Sequence, residues 1–424
     1  MIGEIISVGT ELLLGNIVNT NAAYLAEQCA SLGVSCYYQT CVGDNEERLT
    51  GVIETALKRS DVVILTGGLG PTQDDLTKEV VSKVMRLKLV EDAKAKEMLV
   101  SYFEKRGIEI TDNNWKQVLV PEKSTVLYNE NGTAPGLIIE KNKKVAILLP
   151  GPPAEMKPMF DKYVADYFKQ HNEHVISSVT IKLCGIGESK AEEVIKDLIE
   201  KQSNPTIATY AKTGEVHLRI TAKAENEKEA MKLIRPLVKK VKTRFGEKVF
   251  TTEEAVTLEQ SFVDLLLSHK LTVCTVESCT GGLVSARLIN VPGVSEVYKF
   301  GHITYSNKAK RKILGVKKNT LDMYTAVSEQ VALQMVKGAG SMSKADVAIA
   351  VTGIAGPDGG SEKVPVGTVF IACDVKGNTC VQKYQFNGNR AKIRENAVAA
   401  ALTLARKCVL EYITQVSFGN KKEK

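Results

Sequence analysis

The chain has 424 residues, 44% of them apolar and 25% charged, with a formal net charge of +7. That length exceeds one ordinary core and calls for two or three domains, while the composition is that of a globular protein. The mild positive surplus suits phosphorylated metabolites and does not require nucleic acid, and no stretch approaches the about 18 unbroken apolar residues of a spanning helix.

The first residues, MIGEIISVGTELLLGN, carry Glu4 and Glu11 inside an apolar stretch and lack a basic leader region. They read as a first strand over 4–10 rather than a signal peptide. Asn19 is placed to cap a helix that Gly33 ends, and residues 34–42 form the next strand. A helix over 45–59 and a strand over 61–66 follow. This alternation predicts a parallel sheet with helices on both faces. Helices are expected over 77–87 and 92–105, a turn at 133–136 and a strand over 144–149. Pro152 and Pro153 then sit in the first turn of a helix reaching about residue 171.

The composition shifts near His174. Two strand–helix repeats follow, forming a small α+β unit with a loop and strand at 204–214 between them. Near residue 255 a third unit begins, again α/β. Its helix over 256–270 leads to the strand LTVCTVES and a Gly-Gly helix start. The strand FGHITYS, a basic helix, a helix over 326–339, the strand ADVAIAVTG and the strands over 366–375 and 379–387 come next. A closing helix runs from residue 389 to about 413, and antiparallel strands are expected at one sheet edge. The predicted fold class is α/β: two three-layer α/β/α domains joined by a small KH-like α+β domain. The expected boundaries are 1–172, 173–252 and 253–415, with a solvated basic tail over 416–424.

The nine cysteines form no C-x-x-C pair and are odd in number, which reads as reduced thiols in a cytoplasmic setting. Cys279 lies beside Ser278 and is more often a small buried hydrophobe than a nucleophile. His171, His174 and His217 are dispersed and read as surface residues, not metal ligands.

Two Gly-rich turns stand far apart: TGGLGPTQDD from Thr66 to Asp75 and VTGIAGPDGGSEKVPVGT from Val351 to Thr368. Each follows an apolar β-branched run, so each frees backbone N–H groups to face a ligand. Together with GTELLLG (Gly9–Gly15) and PGPPAEM (Pro150–Met156), the first resembles a molybdopterin-binding-like domain. With ESCTGG (Glu277–Gly282) and TYSNKAK (Thr304–Lys310), the second resembles a nicotinamide mononucleotide deamidase domain. The combination is similar to the CinA family of competence/damage-inducible proteins. The resemblance implies an N-terminal ADP-ribose pyrophosphatase-like domain, a KH-like middle domain and a C-terminal amidohydrolase.

In the C-terminal domain, Ser278 falls at a strand–helix junction. It is expected to be exposed and to be faced by the free N–H groups of the following helix. A serine needs a base, and neither His269 nor His302 lies in a Gly-rich turn. Lysine is the other candidate once burial lowers its pKa, and TYSNKAK offers Tyr305, Lys308 and Lys310. The resemblance favours Ser278, Tyr305, Lys310 and Thr352 as the catalytic set, with Lys310 the base directly or through Tyr305. Cys279, Thr280 and Gly281 are expected to contact substrate. Gly353, Ala355 and Gly356 would supply oxyanion donors, Thr352 would orient the substrate, and Arg390 would hold its phosphate. This domain needs no cofactor.

In the N-terminal domain, Thr66, Gly67, Gly68, Gly70, Thr72, Pro150 and Gly151 are the expected ligand contacts. Asp74 and Asp75, with Asp44 and Glu11 at the same sheet edge, suggest a divalent ion (Mg, Co or Mn) that assists water attack on ADP-ribose. The alternative for Asp74 and Asp75 is a helix cap near Leu76. Glu155 reads as a first-turn dipole partner. The middle domain carries GIGE at Gly185–Glu188 instead of G-x-x-G and lacks an aromatic platform, so RNA binding is not expected. The expected partners are nicotinamide mononucleotide and ADP-ribose, with no nucleic acid and no membrane, in a homodimer. Two other readings remain open: a deamidase fused to a non-hydrolytic pterin or nucleotide binder, and a competence or damage-response protein working through contacts alone.

Overall fold

The computed structural model describes residues 1–171 and 175–422. His174, Glu423 and Lys424 lie outside them. The chain divides into two compact units, Met1–Ser178 with Ala222–Leu233 and Val179–Thr221 with Ile234–Lys424.

The first unit is built on strands β1 (Ile2–Val8), β2 (Ser35–Val42) and β3 (Val62–Thr66). To these it adds β4 (Leu89–Glu91), β5 (Leu119–Pro121), β6 (Thr125–Leu127), β7 (Gly136–Lys141) and β8 (Lys144–Leu149). Six strands form one sheet in the order β2-β1-β3-β8-β7-β6. Successive side chains leave a strand on opposite faces, so neighbouring apolar residues serve two cores. Ile6 and Leu65 pack with Leu49, Ile53 and Val81, whereas Ile5 and Ile64 pack with Leu25, Phe160 and Phe168. The helix Thr20–Ser31 starts where the Asn19 side chain accepts from Ala22 N, and Glu46–Arg59 starts where Asn45 accepts from Arg48 N. The helix after PGPPAEM reaches His171 as expected, through one π-type turn at Phe160–Val164.

Only the first four strands of this sheet are parallel. β7 pairs antiparallel with β8 and with β6; the β7–β8 pairing follows from the two residues between them, Asn142 and Lys143, which both adopt positive φ. A two-residue turn of that hand closes a hairpin. β4 and β5 form a separate two-stranded sheet. The fully buried Glu4 is tolerated inside β1 because Arg59 donates to both its oxygens, at 2.8 and 2.7 Å.

The second sheet joins β9 (Val175–Cys184), β10 (Thr206–Lys212), β11 (Glu215–Ala224) and β12 (Val249–Thr251) in the order β10-β11-β9-β12, with helices Glu188–Glu200 and Glu227–Phe245.

The third sheet joins β13 (Val273–Glu277), β14 (Tyr298–Ile303), β15 (Val347–Gly353), β16 (Thr368–Val375) and β17 (Asn378–Gln385). Its order is β14-β13-β15-β16-β17, with the antiparallel strands at one edge. Val273 and Ile349 face Phe262, Leu288 and Leu402 on one side. Cys274 and Ala350 face Leu321 and Met335 on the other. The closing helix runs Arg390–Lys422, past the end expected near residue 413. Among the described residues no helix is long and apolar enough to cross a membrane.

In both α/β sheets the chain leaves the first strand to one side and returns on the other, β2 and β3 around β1, β14 and β15 around β13. Such reversals open a crevice at the carboxyl ends of the strands. At the first of them Gly67 has φ 104°, and a Cβ there would stand 2.1 Å from the Val8 carbonyl oxygen. Gly67→Ala should therefore cost about 2–3 kcal/mol in urea unfolding; a loss under ~0.5 kcal/mol would contradict that close approach.

Candidate active site

The second reversal carries the sharper chemistry. Ser278 extends β13 by one residue, its N–H donating to Val351 O at 2.9 Å. Gly281 and Gly282, both left-handed, then turn the chain into the helix Leu283–Ile289. Contrary to expectation, Ser278 is buried and does not meet free helix N–H groups. The Glu277 carboxylate takes them: it accepts from Gly282 N (2.9 Å), Val284 N (3.1 Å), Ser285 N (2.9 Å) and Ser285 Oγ (2.7 Å). The positive helix end is spent on fixing the turn.

What faces Ser278 is Lys310. It sits in the helix Asn307–Leu314, whose cap is the Ser306 hydroxyl accepting from Ala309 N. The side chain is 1% exposed, and Nζ lies 3.0 Å from Ser278 Oγ, 2.9 Å from Thr304 O and 3.4 Å from Tyr305 O. Burial lowers its pKa to about 8, and among the described residues no carboxylate pairs with it. A neutral amine has two hydrogens and one lone pair. With two carbonyls as acceptors, the lone pair is left for the Ser278 hydroxyl.

The other expected residues divide. The Tyr305 phenol is 61% exposed and accepts from Arg390 Nη2 at 3.1 Å; only its carbonyl touches Lys310. A proton relay through that phenol is corrected to direct contact. Arg390 Nη1 donates to Gly356 O at 2.7 Å, so Arg390 bridges the Tyr305 and Gly356 loops. Thr352 donates its proton to Ala326 O at 2.7 Å, which leaves only its oxygen lone pairs for orienting a substrate. Gly353 belongs to β15, where a Cβ would stand 2.8 Å from Thr368 O. Ile354 N donates to Thr368 O, while the N–H groups of Ala355 and Gly356 take no backbone partner among the described residues. Cys279 is buried in the apolar core, and burial pushes its thiol up to about 11, so it is neither a thiolate nor an open contact. Thr280 and Thr304 are fully buried with hydroxyls that lack a partner among the described residues.

Glu277, the first residue of ESCTGG, and Arg394 carry work for which the sequence suggested no role. Arg394 donates to Cys279 O at 3.1 Å and Thr280 O at 2.8 Å, holding the turn after Ser278. The available signals were Glu277's position directly before Ser278 and the four-residue step from Arg390 to Arg394, one turn of helix. His302 stands edge-on to Phe300 in β14, and His269 bonds Leu265 O; neither contacts Ser278.

At the first unit's crevice, Thr66 Oγ1 donates to Pro150 O at 3.0 Å and accepts from Asn21, which also donates to Gly151 O at 2.7 Å. Gly68 has φ 67° and lies against Thr77, whose hydroxyl donates to Gly67 O. A Cβ on Gly70 would stand 2.4 Å from Asp75 Oδ2. Lys116, absent from the sequence expectations, donates to Thr72 O and Asp75 O, and the buried Lys78 donates to Lys116 O.

The expected metal carboxylates are not assembled as a ligand set. Asp44 accepts from Thr10 N and Oγ1, and Asp75 accepts from Thr72 N and Oγ1. The Thr72 hydroxyl beside Asp74 holds that carboxyl below its ordinary range. Among the described residues no group of three His, Cys, Asp or Glu could hold a metal ion. These carboxylates brace their own loops. Glu155 accepts from Asn129 at 2.6 Å, and burial raises its pKa, so it does more than face a helix dipole. His171 bonds Tyr167 O and His217 pairs with Glu215.

Fold and site define an α/β protein with a serine–lysine pair at one sheet crevice and a glycine turn at another. Family profiles agree: "Probable molybdopterin binding domain" matches residues 4–170, "Damage-inducible protein CinA KH domain" 178–251 and "CinA C-terminal domain" 255–409. A protein of Clostridium beijerinckii, provisionally named competence-damage inducible protein, is 49% identical over 97% of this chain and 100% of its own. A "CinA-like protein" of Dictyoglomus turgidum is 48% identical over 96% of this chain and 99% of its own. The crystal structure of competence/damage inducible protein CihA from Agrobacterium tumefaciens is 43% identical, covering 35% of this chain and 90% of that one, with a TM-score of 0.34. The chain belongs to the CinA family of competence/damage-inducible proteins.

Removing the Glu277 carboxylate would strand three backbone N–H groups. Glu277→Ala should cost about 2–4 kcal/mol by urea unfolding; a change below ~1 kcal/mol would show that water replaces the cap freely.

Proposed function

We propose that the C-terminal unit is an amidohydrolase that converts nicotinamide mononucleotide to nicotinate mononucleotide and ammonia. The observation that carries this reading is the buried contact of Lys310 Nζ with Ser278 Oγ. Neutral Lys310 takes the Ser278 proton as Oγ attacks the carboxamide carbon. The carbon–nitrogen bond breaks, Lys310 returns the proton to the departing nitrogen, and ammonia leaves an ester on Ser278. Water, deprotonated by the same amine, cleaves the ester and restores both residues. The free N–H groups of Ala355 and Gly356 suit the oxyanion. Arg390, fixed at the mouth by Gly356 and Tyr305, suits the phosphate.

For the N-terminal unit we propose binding of a diphosphate nucleotide such as ADP-ribose by the turn Gly67–Gly70, Thr72 and the Pro150–Gly151 segment. Hydrolysis to AMP and ribose 5-phosphate would call for a divalent ion. Because the carboxylates are committed to their loops, such an ion would arrive with the diphosphate rather than reside in the protein.

With nicotinamide mononucleotide, kcat/KM for ammonia release should climb about tenfold per pH unit and level off above about 8, as Lys310 loses its proton. Stability shares the sign. Between about 8 and the ordinary lysine value of 10.5, the unfolded chain holds a proton that folded Lys310 lacks, so stability rises with pH. Ser278→Ala and Lys310→Met should each lower kcat by roughly 10³-fold or more, and Lys310→Arg should not restore it. Cys279→Ala and Tyr305→Phe should keep kcat within about tenfold. Loss of turnover in Cys279→Ala with retention in Ser278→Ala would sink the assignment. In the other unit, EDTA should leave ADP-ribose affinity within about twofold while stopping any AMP release; AMP release indifferent to EDTA would exclude an ion carried by the diphosphate.

A further inference from the structure

The second unit contains a cavity of 710 Å³ that none of the Ser278 site residues lines. Its size falls within the range of small-molecule sites. One wall comes from the KH-like layer: the turn Gly185–Glu188, the β10–β11 hairpin and the end of the helix Glu227–Phe245. The other comes from β17 with its following residues and from the helix Arg390–Lys422. The rims are pinned where glycines let backbone meet that helix. A Cβ on Gly214 would stand 2.3 Å from Ala399 Cβ, and one on Gly185 3.1 Å from Thr403 Cγ2.

The walls differ in chemistry. Tyr384 and Phe386, alternate residues of one strand direction, lie nearly parallel, with ring centroids 5.6 Å apart and planes at 10°. The Tyr384 hydroxyl is spent on Gln382 at 2.6 Å, so the side chain offers the cavity chiefly its ring. The KH-like wall supplies Lys212 and Lys248, exposed and without ion pairs among the described residues. Arg406 and Lys407 on the facing helix bring the cations of the lining to four, against three acids. Glu215 is held by His217 at 2.9 Å, which leaves Glu188 and Glu247 at the rim. A KH loop clamps a run of nucleotides with two glycines three apart. Here the second is replaced by Glu188, and Thr403 closes on Gly185, which leaves room for one small molecule instead of a strand.

We propose that this cavity is a second ligand site, for a mononucleotide-sized aromatic phosphate: a flat heteroaromatic ring lies against Tyr384 and Phe386, and its phosphate meets Lys212 and Lys248. Ring stacking gives sequence-tolerant affinity, and the two ammonium groups select an anion. The proposal does not draw on the serine–lysine reading, and either can fail alone.

The test is calorimetric titration of the full chain with AMP, adenosine and ribose 5-phosphate. Circular dichroism and thermal melting serve as checks that each variant is folded. AMP should saturate a site that disappears in Ala400→Trp, which fills the cavity, and that weakens at least tenfold in the surface double variant Lys212→Ala/Lys248→Ala. Adenosine and ribose 5-phosphate should each bind at least tenfold more weakly than AMP. AMP isotherms that superimpose for the parent and the double variant would overturn the proposal, even if Ala400→Trp fails to fold. So would adenosine matching AMP, or the absence of any AMP site. Ammonia release that persists while AMP binding is absent would remove this site and leave the deamidase reading intact.

Discussion

A buried amine facing a buried hydroxyl is the constraint on which the C-terminal unit turns. An ammonium with 1% exposure and no carboxylate is costly, so burial brings the Lys310 pKa down to about 8 and makes the neutral amine accessible. Nζ reaches Thr304 O, Tyr305 O and Ser278 Oγ; once it is neutral, the two carbonyls take its hydrogens and leave the lone pair for Ser278. Those two carbonyls are placed because β14 runs parallel to β13 and because Thr304 N donates to Glu277 O at 2.8 Å. Glu277 in turn fixes the turn that follows Ser278. The same residue thus anchors both sides of the pair, through its carbonyl and its carboxylate.

The two α/β sheets place their glycine turns in the same way and then depart from each other. Each turn lies at the carboxyl end of a strand beside a topological reversal. In the first unit the loop is closed by Lys116 on two carbonyls and by the Thr77 hydroxyl. Among the described contacts of that turn there is no nucleophile–base pair like the one at Ser278. In the second unit, Arg390 and Arg394 reach from one helix to the Gly356 and Cys279–Thr280 loops. The guanidinium fork makes two bonds at fixed geometry, which suits a residue that must tie loops together.

Carboxylates show how much a residue's meaning depends on its neighbours. Asp74 and Asp75 in a glycine-rich turn, with Asp44 at the same edge, satisfy the composition of a cation site. Threonine hydroxyls and N–H groups within their own loops reach them first. Glu277, which no metal or acid–base pattern marked, does more for the site than any of these three. Cys279 is the reverse case: its reactivity was suggested by adjacency to Ser278 and is cancelled by burial in the apolar core.

The strand–helix alternation, the caps at Asn19 and Asn45, the antiparallel edge of the last sheet and the glycine turns were all legible in the chain, because they rest on local periodicity and local backbone sterics. The approach of Ser278 and Lys310 was legible only as a choice among lysines. The antiparallel β7–β8 pairing was hidden in a two-residue turn, Asn142–Lys143, whose positive φ values lack the glycine that usually signals them. Which partners the long-range polar side chains take could not be read, since these come from 115 and 130 residues away for Arg394 on Cys279 and Asn21 on Gly151. Sequence by itself determined where the turns and the reactive groups stand along the chain. Only the folded sheets decided which hydrogen each of those groups keeps, because a hydrogen bond is settled within about 3 Å and the chain's own order says nothing at that range.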